Sequence, residues 1–328
     1  MSVPGSHVMS LATTASVSTT ASVRCAALID GPEQSLDVLG VMPSAVYLAT
    51  QGTPSAVMAV LAQDAVRHPT ALVLPMRTVD RPLADLDATD PATVGDGRLV
   101  LGGRDRADGA GLVLRVGRWY DPVPRIVPPE RSMLPRVADL IESAASRSAD
   151  DPRDTGRSAA RTALSRLGRA LADDHSGAEL EEPARPECIA EAMIGLGPGL
   201  TPSGDDMLSG LLATLVHLPP DPAVAARLAA VRRRVRDRAP GRTTLLSACL
   251  LRDAIDGAVA APFARLLRAI AEVPQGRDGG HVDRSVALRD AVDAVLAVGS
   301  TSGADLLLGA EVALRVTASV DVLVEGSR

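Results

Sequence analysis

The spacing of apolar positions changes character part-way along the chain. Over residues 23–128 they come in short runs or alternate with polar neighbours, the period of extended strands. Strands are predicted at 24–29, 45–50, 56–61, 71–74, 98–101 and 112–119. Turn chemistry separates them: Asp30-Gly31, Gln51-Gly52-Thr53-Pro54, Asp96-Gly97 and Gly102-Gly103. The spacing leaves little room for crossover helices, so a mainly antiparallel, barrel-like sheet is expected. Residues 1–22, mostly Ser, Thr, Ala and Val without a clear pattern, are expected to form a flexible N-terminal tail or an extended arm.

Pro122, Pro124, Pro128 and Pro129 make a rigid connection, and beyond it the period becomes helical. Helices are predicted at 133–146, 158–173, 207–218, 223–237, 243–257, 262–272, 286–298 and 305–316. Residues 147–156 read as a polar loop, 187–194 lead into a glycine-rich segment, and 321–325 read as a last strand or tail. The expected class is therefore α+β: a strand-rich domain over 23–128, then an α-helical domain over 129–328.

Composition narrows the chemistry. The chain has 328 residues, 46% of them apolar, enough for one large or two smaller cores. All 34 basic residues are Arg. Without Lys there is no Schiff base and no Walker A lysine. A net charge of −6 and four aromatic residues argue against a nucleic-acid partner. Cys25, Cys188 and Cys249 are odd in number and far apart, which fits a reduced, cytoplasmic setting. No basic residue precedes Arg24, so a secretory n-region is not expected, and no apolar run approaches the roughly 20 residues of a membrane span.

The candidate chemistry sits in Gly195-Leu196-Gly197-Pro198-Gly199-Leu200-Thr201-Pro202-Ser203-Gly204-Asp205-Asp206, ahead of an apolar helix. Residues 203–210 align without gaps on 302–309: Ser203/Ser302, Gly204/Gly303, Asp206/Asp305 and Gly210/Gly309 match. One reading is a pair of Ser-x-x-Asp capping boxes. Another has Thr201 as the cap, with Ser203 inside the first turn. Caps and small-residue packing account for Ser and Gly, but poorly for three glycines and a proline upstream. Glycines admit a ligand close to backbone, and helix starts suit anions. The acids are suited to orient an Arg, to accept from a substrate amide, or to hold Mg²⁺ through water.

A third helix start follows a run of arginines at Arg242-Thr243-Thr244, where Thr243 or Thr244 caps the helix. Arg242 lies where the helix dipole disfavours a cation. A bound anion, or Asp205 or Asp206 as partner, would resolve the conflict.

These residues resemble a bacterial family that includes the AllH-type subunit of oxamate carbamoyltransferase. The likeness is carried by residues 195–210, by Arg242-Thr243-Thr244 with Ser247, and by Gly299-Ser300-Thr301-Ser302-Gly303-Ala304-Asp305 with Gly309. It is taken to span residues 25–318, the N-terminal half matching only in its strand-rich look. Ser300 stands where the family often has a His, so no acid–base role carries over there. The resemblance implies carbamoyl transfer between carbamoyl phosphate and an amide or amine acceptor in allantoin-related nitrogen catabolism. It also implies an FdrA-type partner and a second partner subunit.

The expected site joins the starts at 201–206, 242–244 and 300–305. Gly197, Gly199, Thr201, Ser203, Gly204, Thr243, Thr244, Ser300, Thr301, Ser302, Gly303 and Asp305 would bind a small anionic substrate. Asp205, Asp206 and Arg242 would be catalytic, with Arg242 stabilising charge on the leaving phosphate. No cofactor is expected beyond a marginal case for Mg²⁺. The alternative is a non-catalytic assembly or ligand-sensing subunit.

Overall fold

The computed structural model describes residues 15–52, 55–102, 111–147, 154–173, 181–273 and 281–319. The chain divides into two compact units, Met1–Asp121 and Pro122–Arg328. The first is a closed barrel of β1 (Ala15–Ser22), β2 (Gln34–Met42), β3 (Ala45–Thr50), β4 (Val57–Leu61), β5 (Ala71–Val73), β6 (Ala92–Gly95), β7 (Arg98–Leu101) and β8 (Leu112–Tyr120). Around the ring the order is β1-β5-β4-β3-β2-β6-β7-β8. Val46, Leu48, Met58, Val60, Leu72, Leu99 and Leu114 share its buried core, as expected where eight strands enclose only room for side chains.

Three expectations are corrected here. The barrel is mixed rather than mainly antiparallel: β4 runs parallel to β5, and β1 runs parallel to β8. Residues 62–70 give the chain the length to return to the same end of the barrel, which a tight hairpin cannot do. Second, residues 15–22 are not a flexible tail but take the extended alternative, as strand β1 paired from Ala15 opposite Leu112 to Ser22 opposite Tyr120. The buried positions near its end, Thr19, Ala21 and Ser22, are small or polar, so no apolar alternation marks the strand. Third, 24–29 is not a strand. The Ser22 hydroxyl accepts from the Arg24 amide and starts a 3₁₀ turn that runs into α1 (Ala26–Ile29). Residues 1–14, 53–54, 103 and 321–325 of the expected tail, turns and last strand lie outside the described residues.

The second unit is built of α2 (Leu134–Arg147), α3 (Thr155–Ala172), α4 (Pro186–Met193), α5 (Ser203–His217), α6 (Pro222–Arg238), α7 (Leu245–Ile255), α8 (Ala261–Ala271), α9 (His281–Leu296) and α10 (Ser302–Ala318). Among the described residues no helix is long and apolar enough to cross a membrane. α5 is the central element, buried at every residue from Ser203 to Leu215, as a helix apolar on nearly all sides must be.

α5 packs directly on α10 through the repeated glycines. A Cβ at Gly210 would overlap the Leu306 carbonyl, and one at Gly309 would overlap the Met207 carbonyl. The obstacle in both cases is backbone, so no rotamer relieves it. For Gly309→Ala, over-packing costs about 3 kcal/mol, of which improved helix propensity returns about 1. The expected net loss, on the order of 2 kcal/mol, would be read from the denaturation midpoint. An unchanged midpoint would contradict this close approach.

Candidate substrate site at converging helix starts

Between α4 and α5 the chain turns back through the glycine segment. Gly195 (φ 75°) and Gly197 (φ 112°) hold left-handed backbone that favours glycine. They also let other segments come close. A Cβ at Gly195 would overlap the Arg242 carbonyl, and one at Gly197 would lie 3.0 Å from the Ser203 amide nitrogen. Gly156, in the first turn of α3, rests against Gly197. Thr201 Oγ1 lies 3.0 Å from Ser302 Oγ. The starts of α3, α5, α7 and α10 therefore meet around this loop.

Two of the four starts have a side-chain cap. Asp154 accepts from the Arg157 amide at 2.9 Å on α3, and Thr244 Oγ1 accepts from the Ser247 amide at 3.1 Å on α7. α5 follows Pro202 and α10 follows Thr301, and neither has a side-chain cap. The capping-box reading is thereby overturned. Ser203 lies in the first turn, as the other reading has it, although Pro202 rather than Thr201 occupies the cap position. The Ser and Asp of each repeat are exchanged between helices instead: Ser302 hydrogen-bonds Asp206, and Ser203 hydrogen-bonds Asp305.

The three acids have different surroundings. Asp205 is buried and accepts from the Gly195 amide at 2.9 Å, from Ser247 Oγ at 2.7 Å, and from Thr243 Oγ1. It ties the glycine loop to the start of α7. Burial raises its pKa, and these hydrogen bonds oppose the rise. Asp206 Oδ2 is buried without a hydrogen-bond partner. Burial pushes its pKa up to about 8; the hydrogen bonds of Ser302 and Thr201 oppose this, and the charges of Asp305 and Asp205 add to it. Asp305 is fully buried, its Oδ1 accepts from Arg157 Nε at 2.8 Å, and its Oδ2 has no partner. Burial raises its pKa, while the hydrogen bonds from Arg157 and Ser203 and the Arg157 charge pull it down.

A pH dependence follows for Asp206. Its folded pKa lies above the ordinary value of 3.8, so folding retains a proton that the unfolded chain releases. That costs nothing below about 3.8 and increasingly more as pH rises to about 8. The stability of Asp206→Asn relative to the wild type is therefore expected to rise over this window. Denaturation curves across the range would check it, and a flat difference would place the carboxyl in water.

Above these acids lies a more open rim. Gly199, Ser300 and Thr301 are exposed, whereas Gly197, Thr201, Ser302, Thr243 and Thr244 are half-buried. Thr244 also donates to the Leu200 carbonyl at 2.5 Å. Gly204 and Gly303 are packing positions, where a Cβ would overlap the carbonyls of Met193 and Val295. Arg242 does not take Asp205 or Asp206 as its partner. Its guanidinium, 48% exposed, pairs at 3.0 Å with Glu191. Glu191 also holds Arg234 at 2.9 Å and Arg238 at 3.5 Å.

The buried cation of the cluster is Arg157, which the sequence reading did not single out. A signal was present in Asp154-Thr155-Gly156-Arg157: a capping acid followed by an Arg in the first helical turn, the same conflict with the dipole that marked Arg242. Among the described residues no three His, Cys, Asp or Glu side chains are grouped as a metal ion would require.

Residues 193–314 match the family model described as oxamate carbamoyltransferase subunit AllH. The match includes the starts of α5, α7 and α10; Arg157 and the barrel lie outside it. No solved structure matches the chain.

Proposed function

We propose, from the match of residues 193–314 to the model of oxamate carbamoyltransferase subunit AllH, that the chain is a subunit of an oxamate-type carbamoyltransferase whose converging helix starts bind a small anion carrying a primary amide. One observation supports this most. Two buried carboxyl oxygens without partners, on Asp206 and Asp305, lie just inside two adjoining helix starts that lack side-chain caps. Helix starts attract an anion, and carboxyl groups pair with amide N–H. Oxamate has these two ends, a carboxylate joined to –C(O)NH₂.

In the transfer, the acceptor nitrogen attacks the carbamoyl carbon of carbamoyl phosphate. A C–N bond forms, the C–O bond to phosphate breaks, and the nitrogen loses a proton. Gly197, Gly199, Thr201, Ser300, Thr301 and Ser302 would hold the carboxylate or phosphate at the rim, with the buried Ser203 hydroxyl orienting Asp305 beneath it. Asp206 and Asp305 would face the amide. Asp205, Thr243 and Thr244 would hold the loop, with Gly204 and Gly303 keeping the helices close enough to form the site. Arg242, already engaged by Glu191, would add positive potential at the edge rather than clamp the phosphate. With no Lys and no His in these motifs, the proton passes to an Asp, to water, to substrate or to another subunit.

The proposal includes a complex with an FdrA-type subunit and a second carbamoyltransferase subunit, in the cytoplasm. In a second reading the glycine loop, where Leu200 is 63% exposed, serves only assembly or sensing. Reconstituting the complex separates the two. Asp305→Asn is expected to lower oxamate-dependent phosphate release by about 100-fold or more. Full turnover with both Asp206→Asn and Asp305→Asn, or residual turnover without this chain, would favour the assembly role.

A further inference from the structure

The crossed Ser–Asp pairs make Asp206 and Asp305 equivalent by position, and each has one buried carboxyl oxygen without a partner. Their surroundings differ in charge. Asp305 receives Arg157 Nε at 2.8 Å, from a side chain itself only 5% exposed. The charges facing Asp206 are those of Asp205 and Asp305, with the Thr201 and Ser302 hydroxyls as its hydrogen-bond partners. The groups facing Asp305 are Arg157, Asp154 and the Ser203 hydroxyl, together with Asp206 itself. Asp205 is a poor ligand group, because the Gly195 amide, Thr243 and Ser247 already donate to it.

Two neighbouring buried carboxyls do not both ionise readily, and a cation fixed to one decides which of them does. Resting on the carbamoyltransferase reading, we propose that Asp206 and Asp305 form an unequal pair that recognises the two edges of a primary amide. Ionised Asp305 accepts from the –NH₂, protonated Asp206 donates to the carbonyl oxygen, and Arg157 is the positioning residue that fixes which is which. The pair thereby selects an amide over a carboxylate of the same shape. A carboxylate offers two acceptors and leaves Asp305 facing a like charge without a donor between them.

Oxamate and oxalate, nearly identical in shape, test this by calorimetric titration of the full chain on both sides of the Asp206 midpoint of about 8. The wild type is expected to prefer oxamate by about tenfold or more, with its affinity for oxamate falling as pH rises past the Asp206 midpoint. Asp206→Asn, whose amide still donates, keeps the preference and loses that fall in affinity. Asp305→Asn loses the preference, as does Arg157→Gln, and Arg157→Lys restores part of it. Equal effects of Asp206→Asn and Asp305→Asn, or a preference untouched by Arg157→Gln, would overturn the unequal pair while leaving the binding site standing. If neither anion binds the wild type, the functional reading falls and the pair's role with it. Should Arg157→Gln fail to fold, the contrast between the two Asn variants decides. Titration of ¹³C-labelled aspartate carboxyls supplies a readout independent of ligand: Asp206 should titrate well above Asp305, and equal midpoints would refute the proposal.

Discussion

Asp205→Ala is expected to lower unfolding stability by about 3–5 kcal/mol. The substitution orphans the Gly195 amide and the Thr243 and Ser247 hydroxyls around a carboxylate that is 1% exposed. Each buried donor left unsatisfied costs about 1–3 kcal/mol. Relief from burying the carboxylate, the largest influence on its pKa, offsets part of that sum. The loss should come with a loosened glycine loop, visible as faster amide hydrogen exchange at Gly195. A loss below about 1 kcal/mol would mean that packing against the Arg242 carbonyl alone holds the loop.

The second large effect is expected at Arg157. Arg157→Met leaves Asp305 without its counter-charge at a position with no exposure. Removing one partner of a buried pair costs about 3–5 kcal/mol. The penalty depends on pH. Without Arg157 the folded-state pKa of Asp305 rises further above the unfolded value, so the variant falls behind the wild type as pH rises from the acid range toward neutrality. Denaturation in acid and at neutral pH should show a small gap widening to the full one. Arg157→Met with Asp305→Leu should recover most of the loss, since an apolar pair of similar size removes both buried charges. A gap independent of pH would contradict a buried ion pair.

Much of the helical unit is legible in the sequence because it is held by local periodicity. α5, α6 and α10 begin and end within a few residues of where the apolar spacing places them. The ungapped match of 203–210 on 302–309 is a true structural correspondence, since Gly210 and Gly309 pack reciprocally across α5 and α10. What the sequence hides depends on partners far along the chain. β1 has almost no apolar signal, and barrel closure against β8 makes it a strand. The Ser–Asp repeats look like self-contained capping boxes, because a three-residue spacing within one helix cannot reveal that each Ser serves the other helix. Arg157 meets Asp305 148 positions later, and Arg242 meets Glu191 51 positions earlier. Charge conflict at a helix start was a sound signal in both cases, but it names no partner.

The central claim is that the buried carboxyls inside the two uncapped helix starts bind a small amide-bearing anion. Thermal unfolding of the full chain with oxamate, beside Asp305→Asn, tests it most directly. Oxamate at about 100 times its dissociation constant should stabilise the wild type by roughly 2.7 kcal/mol, and the variant at the same concentration should show little of that shift. No shift in the wild type, or an equal shift in Asp305→Asn, would contradict it.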